Sequence, residues 1–163
     1  VCHELGHWLV LRRVGGRIQR LHITVFGAEM QVDDRRISYG GELLTAAAGP
    51  VSNLLLAAAM GLLGRWWEPM YLFAGAQLVL GAFNLLPALP LDGGRILWLA
   101  LAWLTEPYTA QRVLSAVSLA VSLALLLGGG WFIWRLGGSP FLLVGAVGLT
   151  GWNLREIKLA KGG

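Results

Sequence analysis

Apolar and polar positions are segregated along this chain on a scale far longer than a helical turn. No Asp, Glu, Lys or Arg occurs in residues 43–64, 69–91, 113–134 or 136–154. Each gap is close to the ~20 residues a helix needs to cross a bilayer. A soluble helical core would show charge every turn or two on its wet face. The pattern predicts a span going out over 43–63, a tight loop at 64–69 and a returning span over 70–86. Pro87 and Pro90 break that return, and Gly93-Gly94 loosens it further. A shorter apolar helix is predicted over 95–104, then spans over 113–134 and 140–154. Residues 1–14 read as the inner half of another membrane helix, ended by Gly15-Gly16. The period then changes: Ile18, Leu21, Ile23 and Val25, then Gly27, then Met30 and Val32 predict two short strands about a glycine turn. The expected fold class is an all-α polytopic membrane protein. It has a bundle of about five visible transmembrane helices, a small β-hairpin on the cytoplasmic side and a helix broken at Leu91-Asp92-Gly93-Gly94.

Composition agrees with that pattern. The 163 residues are 56% hydrophobic and 13% charged, about half the charge of a soluble domain. The net charge of +4 does not point to nucleic acid, because the basic residues sit at span ends. Arg12, Arg13, Arg17, Arg20, Arg35, Arg36, Arg95, Arg112, Arg155, Lys158 and Lys161 fall on one side of alternating spans, and Arg65 and Arg135 on the other. The positive-inside rule makes the first side cytoplasmic. Trp66, Trp67, Trp131 and Trp134 then mark the outer interface and Trp152 the inner one. A single cysteine, Cys2, excludes an internal disulfide and is expected to be a packed core thiol. Val1 is not an initiator methionine, and only about 11 residues of apolar helix precede Arg12 where a span needs ~20. The sequence is therefore expected to lack the outer half of its first helix and a preceding span.

The chemistry is concentrated in two places. His3-Glu4-Leu5-Gly6-His7 is an HExxH motif. Helical residues four apart stand on one face, so His3 and His7 can hold one zinc ion. Glu4 lies beside the first ligand, where it can take the proton of an activated water. A catalytic zinc needs a third protein ligand and an open position. Asp92 is the candidate, in the most broken backbone of an apolar region, where an ionisable group is costly and usually functional. A plain helix cap is its other reading. Depth is consistent with the pairing: at ~1.5 Å per residue His7 lies ~7 Å and His3 ~13 Å from the level of Arg12, and Asp92 ends its span on the same side. A cation transporter, or a metal-stabilised scaffold with a cation site at Asp92, are readings from other classes. Neither would require Glu4 between the ligands.

HELGH, then AAAGPVSN, then NLLPALPLDGG, in that order within charge-poor spans, resembles the site-2 protease family of intramembrane zinc metalloproteases. The resemblance covers nearly the whole chain. It implies zinc held by His3, His7 and Asp92, with Glu4 as general base, acting on a membrane-embedded segment unwound to an extended strand. About 40 residues separate HELGH from Gly49-Pro50, too few for the PDZ domain that some relatives insert. The compact hairpin and the NLLPALPLDGG spacing most resemble the stage IV sporulation protein FB branch, which processes a precursor sigma factor. That implies a multi-pass protein of a bacterial cell membrane, with its active site toward the cytoplasm. The partners implied are a membrane-associated protein substrate, the lipid bilayer and an inhibitory membrane protein. Residues 1–163 are expected to form one metalloprotease domain without PDZ or CBS modules.

Other polar groups carry weaker signals. Asn53 and Asn84 are candidate intramembrane amides, and either can donate to an oxyanion, hold a substrate strand or bridge helices. Pro87 and Pro90 at the break, and Phe26 on the hairpin, are candidate substrate contacts. The hairpin can act as a strand edge for the substrate or as a surface flap. Ser115, Ser118 and Ser122 read as packing contacts along one helix, and His22 as an interfacial histidine.

Overall fold

A computed structural model of the chain describes residues 2–16, 18–24, 27–32, 37–136, 145 and 147–152, with the strand segments described as backbone only. Its elements run α1 (Cys2–Arg13), β1 (Ile18–Thr24), β2 (Gly27–Val32), α2 (Tyr39–Leu63), α3 (Met70–Asn84), α4 (Asp92–Leu104) and α5 (Pro107–Leu136). The chain divides into two compact units, Val1–Leu85 and Leu86–Gly163.

In the first unit α1 stops where the backbone turns left-handed. Gly15 has φ of +85°, a conformation glycine adopts without steric cost. Beyond it β1 and β2 pair antiparallel from Ile18 opposite Val32 to Thr24 opposite Gly27, with a register shift between Ile18 and Arg20. Val25 and Phe26, at the expected turn, lie outside the described residues. Ser38 starts α2 by accepting a hydrogen bond from Gly41 N at 3.2 Å, which satisfies one of the open N–H groups of a helix start. α2 packs against both α1 and α3. Its buried face is a row of small residues at every fourth position, Gly41, Thr45, Gly49, Asn53 and Ala57. Small residues let helix backbones approach closely where burial from water cannot drive association.

In the second unit α4 packs on α5. Here too the buried row has a period of four: Ala110, Leu114, Ser118 and Ser122. Large apolar side chains point away from the helix contacts in both units. Leu72 is 79% exposed, Val79 67% and Leu127 75%. A water-soluble protein rarely leaves so much apolar surface uncovered, whereas lipid accommodates it.

Among the described residues, two helices are long and apolar enough to cross a membrane, Tyr39–Leu63 and Pro107–Arg135. α5 carries anchors at both ends, with the guanidinium of Arg112 over the Tyr108 ring and that of Arg135 over the Trp134 ring. From Tyr108 to Trp134 the helix rises ~39 Å, close to the ~40–45 Å of a bilayer with its headgroups. α3 has 15 residues and ends at Asn84, so it rises ~22 Å and is shorter than the span expected over 70–86. α4 begins at Asp92, three residues before its expected start. Of the span expected over 140–154, only 145 and 147–152 are described, as helix. Cys2, in the first turn of α1, is exposed rather than packed in a core.

Candidate metal and catalytic site

The first unit holds the HELGH face. His3 and His7 lie one turn apart on α1 with their Nε2 atoms 3.2 Å apart and their rings nearly perpendicular. His7 Nδ1 lies 2.7 Å from the Thr45 carbonyl oxygen on α2. That oxygen can only accept, so His7 carries its proton on Nδ1 and its Nε2 presents a lone pair. His3 Nδ1 lies 3.2 Å from the Asn53 side-chain amide, also on α2. Each imidazole is thus oriented by an α2 group on the nitrogen that faces away from its neighbour. Second-ring-nitrogen partners of this kind set tautomer and orientation in metal-ligating histidines. The donor chemistry suits zinc. Glu4 is half-buried beside the pair.

Gly49 makes the room for the two rings. A Cβ built on it would lie 2.8 Å from His3 Cε1 and collide with the His7 ring. The sequence shows this glycine in AAAGPVSN without indicating that it faces the histidines. Ser52 lies between the same helices: its hydroxyl donates to Gly49 O at 2.7 Å within α2, and Cys2 O of α1 is 3.3 Å away as a second acceptor for the same proton.

The second unit holds the break. Ala88 is fully buried, its N–H donates to Leu86 O, and Leu91 N–H donates to Ala88 O. The Leu89–Pro90 peptide is cis. Pro87 is half-buried and Pro90 exposed. Asp92 opens α4, with extended Leu91 as the N-cap. A carboxylate in the first turn is favoured by the helix dipole. Leu91, not Asp92, is therefore the N-cap residue, and Asp92 is the first residue of α4. Asn84, at the last turn of α3, donates through Nδ2 to Leu80 O at 3.0 Å within its own helix.

Ser118 has a more specific place than the packing stripe suggested. Its buried hydroxyl accepts the Leu89 N–H at 2.9 Å and so pins the broken segment to α5. Nothing in the sequence around Ser118 distinguishes it from Ser115. Ser118→Ala is expected to cost about 0.5–1.5 kcal/mol, the usual net worth of one hydrogen bond. Faster hydrogen exchange at the Leu89 amide, with α5 amides unchanged, checks it. Unchanged exchange at Leu89 would remove the pinning role.

Residues 62–128 match the family model of peptidase family M50, a stretch that runs from the end of α2 into α5 and includes Asp92. The fold agrees: a solved site-2 protease from Methanocaldococcus jannaschii matches with a TM-score of 0.73 at 25% identity, over 95% of this chain and 72% of that one. The chain is similar, in this stretch and in its fold, to the site-2 proteases of peptidase family M50. Among curated relatives, a zinc metalloprotease of Methanocaldococcus jannaschii is 29% identical over 136 residues, which is 79% of this chain and 40% of that protein. The stage IV sporulation protein FB of Bacillus subtilis is 29% identical over 138 residues, 82% of this chain and 47% of that protein. The chain thus spans less than half the length of these curated relatives.

Proposed function

We propose that this chain carries the active site of a zinc-dependent intramembrane endopeptidase. The observation that carries the proposal is the α1 histidine pair, with Nε2 atoms 3.2 Å apart and each outer ring nitrogen engaged by α2. His3, His7 and Asp92 are the proposed ligands. Bound zinc supplies Lewis-acid activation of a water and of the scissile carbonyl. Glu4 takes the proton of that water and returns it to the leaving amine. Asn84, which has a second amide hydrogen beyond the one given to Leu80, is the proposed donor to the developing oxyanion. Phe26 and the segment from Pro87 to Pro90 are proposed substrate contacts.

The proposed substrate is a membrane-embedded or membrane-associated protein segment, and a membrane-associated precursor sigma factor fits that class. Its helix must unwind, because a helical peptide keeps its carbonyls in hydrogen bonds. Each unpaired backbone group in lipid costs several kcal/mol, so substrates with helix-weakening residues near the cut are favoured. An edge of the two-stranded β1–β2 pair offers main-chain partners that offset part of this cost. The proposed setting is a multi-pass bundle with the hairpin and the metal on the cytoplasmic side, supported by the asymmetry of basic residues about the charge-free stretches.

The test is proteolysis of tethered single-span substrates by the purified full-length protein, with and without a zinc chelator. Cleavage that chelation stops and added zinc restores is the expected result. Chelator-resistant cleavage would overturn the metal-dependent mechanism. Mass spectrometry of the new terminus should place the cut at the cytoplasmic end of the substrate span, and a cut at the external end would overturn the orientation.

A further inference from the structure

We infer that Asn53 is a positioning residue whose side-chain amide selects the tautomer of His3, and that it turns its oxygen toward His3 when the metal is bound. The inference rests on the zinc-site reading above and concerns a residue to which the reaction itself assigns no role.

The two histidines are held in different ways. His7 meets a backbone carbonyl, which can only accept, so its tautomer is fixed. His3 instead meets an amide, which offers an acceptor on one side and a donor on the other. Asn53 is 0% exposed, so no bulk water competes for this contact. Apart from the backbone, the side chain is flanked by Gly81, whose Cβ, if present, would lie 3.2 Å from Asn53 Cβ. Oxygen and nitrogen of such an amide have nearly the same shape, and the choice between them follows from their partners.

Each orientation has a definite consequence for the ligand nitrogens. In the arrangement described, Asn53 Nδ2 faces His3 Nδ1 at 3.2 Å. The amide then donates to Nδ1, His3 carries its proton on Nε2, and that proton points at the lone pair of His7 Nε2, 3.2 Å away. A continuous chain results, from Asn53 through His3 and His7 to the Thr45 carbonyl. It is a good metal-free state and a poor ligand set, because the His3 lone pair is turned away and the His7 lone pair is occupied. With Asn53 Oδ1 facing His3, Nδ1 donates to the amide oxygen and Nε2 is bare. Zinc needs the Nε2 lone pair of His3, which this tautomer presents and the nitrogen-in tautomer does not. Oxygen-in and metal-bound therefore favour one another, as do nitrogen-in and metal-free. Each orientation leaves the other amide atom pointing away from His3, where Oδ1 has no hydrogen-bond partner among the described residues in the nitrogen-in state. The orphaned atom thus does not decide the orientation, and the cation does.

The experiment uses the full-length protein with 15N-labelled histidine and asparagine side chains, and zinc as the probe. In the zinc-free protein the His3 ring shifts should report a protonated Nε2, and in the zinc-loaded protein a protonated Nδ1. His7 should report a protonated Nδ1 in both. Zinc affinity, measured by competition with a chromophoric chelator, should fall roughly 10- to 100-fold in Asn53→Leu and stay within about tenfold of wild type in Asn53→Asp, which offers only oxygen. A His3 tautomer that does not change on loading overturns the inference, as does an Asn53→Leu protein with wild-type affinity. If Asn53→Leu does not fold, the wild-type spectra decide alone. Failure of the underlying zinc reading looks different: wild type binds no zinc, or keeps it when both histidines are replaced by alanine.

Discussion

Glu4→Gln is expected to retain the proposed zinc and to lose cleavage by roughly 10²- to 10⁴-fold, the range a positioned general base contributes. Glutamine preserves size and hydrogen-bonding reach but cannot take a proton from the attacking water. Glu4 follows His3 directly in α1 and lies about 100° around the helix from it, so the ligand face is untouched and metal content is expected to hold. Elemental analysis alongside cleavage of a tethered single-span substrate separates the two effects. A Glu4→Gln protein that cleaves at near wild-type rate would show that another group moves the proton.

Gly49→Ala is expected to lower zinc affinity and activity together, each by about 10²-fold, the scale that follows from displacing a ligand by an ångström. The added Cβ enters the space of both imidazoles. His7 cannot retreat without giving up its bond to the Thr45 carbonyl at 2.7 Å, and His3 cannot retreat without leaving Asn53. Gly61→Ala, on the same helix, is the matched control, because the nearest atom to its new Cβ is 4.0 Å away on Ala74. Equal zinc binding by the two variants would mean that the histidines do not depend on the α2 surface.

Much of this was legible in the sequence, for reasons that differ by element. α2 and α5 stand out because a membrane helix must be apolar for its full length, and their charge-free stretches leave little freedom in placing them. The strand pair was legible from a change of period between Ile18 and Val32. The His3/His7 pair was legible because two side chains four apart on one helix share a face without any knowledge of tertiary structure. What the sequence did not disclose depends on contacts between elements. Thr45 acts through its carbonyl, which any residue could supply. Gly49 matters because of what lies opposite it on α1. Ser118 differs from Ser115 only in which side of α5 meets the broken segment. Asn53 was read with oxyanion and helix-bridging roles open, and its contact with His3 required knowing which face of α2 meets α1. The end of α3 at Asn84, earlier than expected, follows from the break: Pro87 restricts the residue before it and cannot donate a helix bond, so the ladder stops short of it.

The central claim is that His3, His7 and Asp92 together hold one zinc ion. Elemental analysis of the purified full-length protein, after removal of loosely bound metal, tests it most directly. One zinc per chain in the wild type is expected, with stoichiometric loss both in the His3→Ala/His7→Ala double variant and in Asp92→Ala. Stoichiometric zinc in either variant, with the fold intact, would contradict it.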